Sequence, residues 1–363
     1  MSENYHEEKN KEYEVKIRLA LKELPKFCGS FFRSMEGIKQ PRTRLAYAQD
    51  LKTYFTFILR NNPMCKDLTM HDIPLHIMEE QTVDDIHEYL TWVRMYHKDA
   101  SLDEIDLMDT KDAIINSESG LKRKLSTLRS MYHYLYQSGK IESDPASLVD
   151  TPKIHEKAII RLDVDEVARL LDEVETGDKL TANQKRYHSK TKERDLAIMT
   201  LLLGTGIRVS ECVGINVSDL DFDNNGVKIT RKGGNESIIY FGDEVRTVLL
   251  DYLETRKNEN PLPGHEEALF LSMQHKRMGV RSIEKLVKKY AQTVTTLKKI
   301  TPHKLRSTYG TALYQETGDI YLVADVLGHK DVNTTRRHYA AIQENRRRSA
   351  AGKVILRENK DKE

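Results

Sequence analysis

The sequence is poor in the residues that would staple a chain together or thread it through a membrane. Its three cysteines, Cys28, Cys65 and Cys212, are odd in number and share no metal-ligand spacing. That excludes a disulfide scaffold, fits a reducing cytoplasm and leaves three buried thiols as the reading. Proline (9) and glycine (18) are too scarce in 363 residues for a linker-dominated or collagen-like polymer. Long apolar runs are missing as well. The longest uncharged apolar stretch, 196–207, holds Thr200, Gly204, Thr205 and Gly206 and falls far short of the roughly 20 residues a membrane helix needs. The first ten residues are polar and acidic with no apolar signal core, so a cytoplasmic protein with no membrane partner is expected. An excess of one charge is also lacking, with 58 basic against 56 acidic side chains and a net charge of +2.

That balance averages unlike halves. Residues 1–150 carry 21 basic and 25 acidic side chains, whereas 151–363 carry 37 and 31. The acids of the first half cluster between 79 and 112, so the remainder of that half is basic. Local basic patches therefore exist beneath a neutral total.

A chain of this length with 39% hydrophobic residues can bury two or three cores. Residues 1–12 read as a flexible solvated tail. A helix-leaning pattern follows over 14–32 with a break at Pro25, then helices at 41–59, at 83–95 behind a Thr82 cap, and at 119–137, with 99–117 as an acidic loop. Asp144-Pro145 and Thr151-Pro152 interrupt the periodicity, which separates a helical domain at 13–148 from a linker at 149–162. From 163 onward the pattern gives a helix capped by Asp163 or Asp165, a polar exposed stretch at 179–192, and a helix at 194–203 ending in Gly204-Thr205-Gly206. Strand-like pieces at Phe222, 227–230 and 237–241 surround two turns. Helices resume at 244–256, 282–293, 302–316, 320–327 and 334–351. The fold class expected is mainly α in two domains, the second α+β with a small antiparallel sheet.

Four motifs in the second half carry chemistry. Arg208 and Glu211 lie one turn apart after a glycine break, so a carboxylate can hold a guanidinium fork aimed at an anion. His303 and Arg306 are three apart on a helix opened by Pro302, where they offer a phosphate an imidazole and a bidentate cation. Leu327-Gly328-His329 stops a helix at an imidazole, and Tyr339 follows after one short connection. A phenol, with a pKa of about 10, becomes a nucleophile once cations stabilise its anion. The turn Thr230-Arg-Lys-Gly-Gly places Lys232 where it could reach a leaving oxygen, with Lys228 or Arg231 as alternatives in that role. Taken singly, each motif also reads as an ion pair, a solvated helix face or a basic turn. Tyr309, Tyr314 and Tyr321 precede His329 and read as core residues of their helices.

In this order the motifs resemble the tyrosine site-specific recombinases, the phage-type integrases and Xer-type recombinases, and the resemblance covers both halves. Lys192-Glu-Arg-Asp-Leu-Ala-Ile, Thr230-Arg-Lys-Gly-Gly and Thr301-Pro-His-Lys-Leu-Arg are most similar to the single-subunit Xer-type recombinases of Gram-positive bacteria. The resemblance implies a core-binding (SAM-like) domain at 13–148 and a catalytic domain at 163–363 with a protomer-exchange segment from about residue 340. It implies the catalytic set Arg208, Lys232, His303, Arg306, His329 and Tyr339, supported by Glu211. It also implies a 3′-phosphotyrosyl intermediate, no metal and no cofactor. The partners implied are a double-stranded DNA target site, a tetramer of this chain on two such sites, and a DNA translocase of the FtsK type in chromosome dimer resolution. Ser307-Thr308 stands where the family very often has His-Thr, and Ala340-Ala341 follows the tyrosine where a histidine often lies two positions on; neither position is catalytic in the family. His329 and Tyr339 are ten residues apart, one more than the commoner spacing.

Arg42, Thr43 and Arg44 on the second helix and Lys122, Arg123, Lys124 and Arg129 on the fourth are the candidates for DNA binding, with solvated helix faces as the alternative. Rival functions are the integrase or excisionase of a mobile element, a type IB topoisomerase and a non-catalytic DNA-binding regulator. A metalloenzyme built on His329 and His338 lacks further ligands at useful spacing.

Overall fold

The computed structural model describes residues 5–97, 113–152, 160–231, 234–329 and 331–332. The chain divides at Glu156 and Lys157 into two compact units.

The first unit is helical: α1 (Tyr5–Glu23), α2 (Cys28–Ser34), α3 (Pro41–Asn61), α4 (His76–Glu79), α5 (Val83–Arg94), α6 (Glu118–Gln137) and α7 (Pro145–Leu148). Helix α3 opens on proline, where no amide bond is lost, and buries Ala48, Leu51, Tyr54, Phe55 and Ile58 at helical spacing. Thr82 caps α5 in a reciprocal pair with Asp85, and Ser117 caps α6. The stripe Leu121, Leu125, Leu128, Tyr132 and Leu135 of α6 closes the same core. Each such side chain contributes about 1.5–3 kcal/mol by leaving water.

Two expectations change here. The tail is helical from Tyr5, because α1 has Glu7 and Glu8 in its first turn, Lys22 in its last, and a Lys9–Glu12 ion pair at 2.7 Å. In the segment read as an acidic loop, Ile114–Ile115 (β2) pairs antiparallel with Met95–Tyr96 (β1), and residues 98–112 lie outside the described ones.

The second unit holds α8 (Val164–Thr176), α9 (Ala182–Thr205), α10 (Val209–Gly214), α11 (Asp243–Arg256), α12 (Val280–Val294), α13 (Pro302–Thr317) and α14 (Ile320–Leu327). Asp163 caps α8. The stretch 179–192, expected to be polar and exposed, belongs largely to α9 and is partly buried. Thr181 and Gln184 cap the helix there, and the His188 ring bonds the Val174 carbonyl at 2.7 Å. Farther along α9, buried Asp195 accepts hydrogen bonds from Thr191, Arg194, Lys289 and Tyr290, which fastens α9 to α12. The sheet, ordered β3-β4-β5 and antiparallel, is built from Leu220–Asp221, Gly226–Thr230 and Glu236–Tyr240. Val227 faces Ile239 on the buried side, and Lys228 faces Ile238 on the open side. Phe222 lies beyond the end of β3 and packs edge-on against Phe241 instead of extending a strand. The helix expected at 334–351 lies outside the described residues.

Candidate active site

The site is assembled where α9, α13, α14 and the β4–β5 hairpin end. Helix α9 stops at Gly206, whose φ of +63° reverses the chain. A Cβ there would lie 2.4 Å from the Tyr309 ring, so glycine is required on two counts. Two residues on, Arg208 opens α10. The Glu211 carboxylate, only 3% exposed, accepts from the Arg208 backbone N–H and from Nη1, both at 2.7 Å. The ion pair expected from spacing is therefore a buried carboxylate orienting a half-exposed guanidinium.

On α13, Leu305 turns inward as expected, but His303 and Arg306 are presented unequally. His303 is exposed, whereas Arg306 is 6% exposed and donates to the carbonyls of Gly206, at 2.6 Å, and Leu327. Helix α14 ends at Gly328 in the left-handed conformation, with the Gly328 N–H bonded to Asp325 O and the His329 N–H to Ala324 O, both at 2.8 Å. His329 thus leaves a helix stop closed by two backbone hydrogen bonds.

Three guanidinium groups meet at that stop on three successive carbonyls. Arg231 Nη2 donates to Val326 O at 3.2 Å, Arg306 Nη2 to Leu327 O, and Arg208 Nη2 to Gly328 O at 3.2 Å. The C-terminal end of a helix carries partial negative charge, which favours this gathering. The structure therefore brings together Arg208, Glu211, Arg306 and His329, with His303 one turn before Arg306. Lys232, His338 and Tyr339 lie outside the described residues.

Sequence reasoning gave Arg231 no place at this stop; the only sequence signal was a basic residue beside the hairpin lysine. Lys228, the other alternative to Lys232, points outward between Asp219 at 3.4 Å and Glu236 at 3.5 Å. Those charges push its pKa up and make it a weaker acid. Of the three tyrosines read as core, Tyr314 is buried and Tyr309 half-buried with its phenol pKa raised by burial, but Tyr321 is 71% exposed on the outer face of α14.

Several DNA-binding candidates are otherwise engaged. Arg44 is 6% exposed and ion-paired with Glu14 and Glu36, and Lys124 is 5% exposed and bonded to Asp50 at 3.2 Å. Burial removes both from a DNA surface. Arg129 bonds the carbonyls of Ala146 and Val149 and the Thr151 hydroxyl, which ties α6 to the end of its unit. Arg123 is half-exposed and braced by Asp50. Arg42 and Lys122 are exposed and Thr43 is partly so.

Residues 160–346 match the phage integrase family. The chain is 30% identical over 357 residues to the tyrosine recombinase XerC of Caldanaerobacter subterraneus subsp. tengcongensis, covering 95% of this chain and 91% of that one. It is 29% identical over 313 residues to the tyrosine recombinase XerS of Lactococcus lactis subsp. cremoris strain SK11, covering 81% and 85%. In fold it is similar to XerH site-specific recombinase bound to its difH substrate, with a TM-score of 0.60, 16% identity and coverage of 86% and 79%. It is also similar to a lambda integrase dimer bound to a core site, with a TM-score of 0.59, 17% identity and coverage of 86% and 94%. The chain belongs to the phage integrase family, and with it to the tyrosine-type site-specific recombinases. Among the described residues, no helix is long and apolar enough to cross a membrane.

Proposed function

We propose that the chain cuts and rejoins duplex DNA at a specific site through Tyr339, in the service of chromosome dimer resolution. The observation that carries the reading is the convergence of Arg208 and Arg306 on the carbonyls just before His329, with Glu211 fixing Arg208. A scissile phosphate bound there would have its oxygens held by Arg208, Arg306, His303 and His329, with the two arginines oriented by backbone carbonyls before the reaction. The Tyr339 phenolate attacks phosphorus, the bond to the 5′-oxygen breaks, and Lys232 gives that oxygen its proton. The 5′-hydroxyl of the partner strand then attacks the 3′-phosphotyrosyl ester, restoring a phosphodiester and releasing the tyrosine. Bond energy is conserved in the ester, so neither metal nor nucleotide is called for.

Phosphate contacts from both halves would supply affinity for the duplex, with Arg42, Thr43, Lys122 and Arg123 on the first. A tetramer on two sites, with the segment after residue 340 exchanged between protomers, and a translocase of the FtsK type complete the proposal. The likeness to XerC and XerS sequences over both halves supports the role in dimer resolution. Tyr339→Phe should form no covalent adduct with target DNA, and an adduct would overturn the choice of nucleophile. Sequencing the DNA left on Tyr339 in cells tests the role: one chromosomal site is expected, and the ends of a mobile element would replace dimer resolution with integration or excision.

A further inference from the structure

We infer that Arg231 is a positioning residue, which ties the β4–β5 hairpin to the end of α14 and so holds His329 and the two other arginines in register. The inference rests on the catalytic reading of that site. Arg231 stands at the base of the hairpin tip, where its N–H bonds Asn235 O at 2.8 Å and its carbonyl accepts from the Gly234 N–H at 3.1 Å. Its side chain leaves the hairpin and reaches Val326 O, 95 residues away in sequence. The guanidinium also approaches Gly328 closely, Nη1 foremost. A Cβ at that glycine would sit 1.3 Å from Arg231 Nη1, and the φ of +60° excludes most other residues as well. Gly328 therefore serves two purposes: it turns the chain toward His329 and leaves the bare backbone on which Arg231 rests.

The consequence is mechanical. Val326, Leu327 and Gly328 each present a carbonyl to a different arginine, so the three guanidiniums share one support. Without Arg231, the first carbonyl loses its partner and the helix stop loses the hairpin that packs against it. Displacement of a phosphate-binding group by about 1 Å is enough to slow chemistry by on the order of 100-fold while binding survives. Arg231 is also the base of the tip that bears Lys232, but its own guanidinium is committed to α14, so it does not serve as the acid.

The test is Arg231→Ala beside Arg231→Lys and Lys232→Ala, in the full chain, on a duplex target with a normal phosphate and on one with sulfur in place of the 5′ leaving oxygen. A thiolate leaves without a proton, so it rescues the loss of an acid but not the loss of positioning. Arg231→Ala is expected to bind DNA as the parent does, to cleave about 100-fold more slowly in single turnover on both substrates, and to regain most activity as Arg231→Lys. The amides of Gly328 and His329, which close the helix stop, should exchange with solvent roughly fivefold faster. Unchanged exchange, an equal loss of DNA affinity, or rescue of Arg231→Ala by sulfur would each overturn the inference. If sulfur fails to rescue Lys232→Ala, the assignment of Lys232 falls, and Arg231 is still judged on exchange and on the split between binding and cleavage.

Discussion

Glu211→Gln is a small change in shape and a large one in hydrogen bonding. The carboxylate accepts from the Arg208 N–H through one oxygen and from Nη1 through the other, both at 2.7 Å. A carboxamide has one acceptor, so whichever way it is turned its NH2 group meets a donor. Glu211 is 3% exposed, and water cannot step in for the missing oxygen. Hydrogen bonds to a charged partner contribute about 1.5–3 kcal/mol each, and the Arg208 side chain, at 35% exposure, recovers part of its share from solvent. Loss of one bond, converted at about 1.4 kcal/mol per tenfold, gives a 10- to 100-fold fall in the rate of strand cleavage. The Gly328 contact of Nη2 remains, so the guanidinium is loosened and not released. Single-turnover cleavage at saturating DNA measures the effect on chemistry, and circular dichroism on heating establishes that the assay temperature lies below unfolding. Cleavage within about twofold of the parent would refute the idea that Glu211 sets the position of Arg208.

Three further outcomes follow from named contacts. Asp50→Ala strips buried Lys124 of its carboxylate and should lower stability by about 3–5 kcal/mol, seen as a lower urea midpoint in the fluorescence of Trp92, the sole tryptophan. A midpoint no lower than that of Lys122→Ala would contradict it. Lys122→Ala should reduce the salt dependence of DNA binding by about one ion while Lys124→Ala leaves the slope unchanged and loses stability; a parental slope for Lys122→Ala would remove Lys122 from the interface. The thiols of Cys28, Cys65 and Cys212 are buried, and burial pushes each pKa up, so thiolate is scarce. A disulfide reagent at neutral pH should label the native protein slowly and all three thiols at once on unfolding, and rapid native labelling would refute that.

Helices α3, α5 and α6 were legible because apolar residues at 3.6-residue spacing coincide with local caps, and both signals lie within one segment. The candidate pairs were legible for a similar reason: Arg208 with Glu211 and His303 with Arg306 are each one turn apart. Tertiary pairing was not. Lys124 looked like a surface cation, yet it stands three residues after Leu121 and four before Leu128, on the apolar stripe itself; its partner, Asp50, is 74 residues away. Arg44 likewise shares a face with Ala48 and Leu51 and finds Glu14 on another helix. A buried cation at a core position demands a partner, and a sequence read one segment at a time cannot supply one. The start of α1 and the polar part of α9 were missed because ion pairs and buried polar groups hold them, where hydrophobic periodicity carries little signal.

The arginine cluster also bears on why the proposed site would favour a transition state over bound DNA. Carbonyl oxygens are dipoles, so these contacts orient Arg208, Arg231 and Arg306 without adding a charge, and Glu211 adds a carboxylate beside Arg208. Like charges at close range repel, and the end of α14 offsets that repulsion in the resting protein through its partial negative charge. A phosphodiester brings one negative charge to such a site. In the proposed attack by the Tyr339 phenolate, charge from the nucleophile moves onto the phosphoryl oxygens, so the phosphorane gains more from each fixed guanidinium than the bound diester does. Because the donors are held by backbone that need not move, little reorganisation is required as the charge develops. Replacing Arg306 with lysine would keep the charge but give up the two-pronged grip on Gly206 and Leu327, and the loss should therefore fall on the cleavage rate and spare DNA binding. Equal loss in both would mean that Arg306 serves affinity and not the transition state.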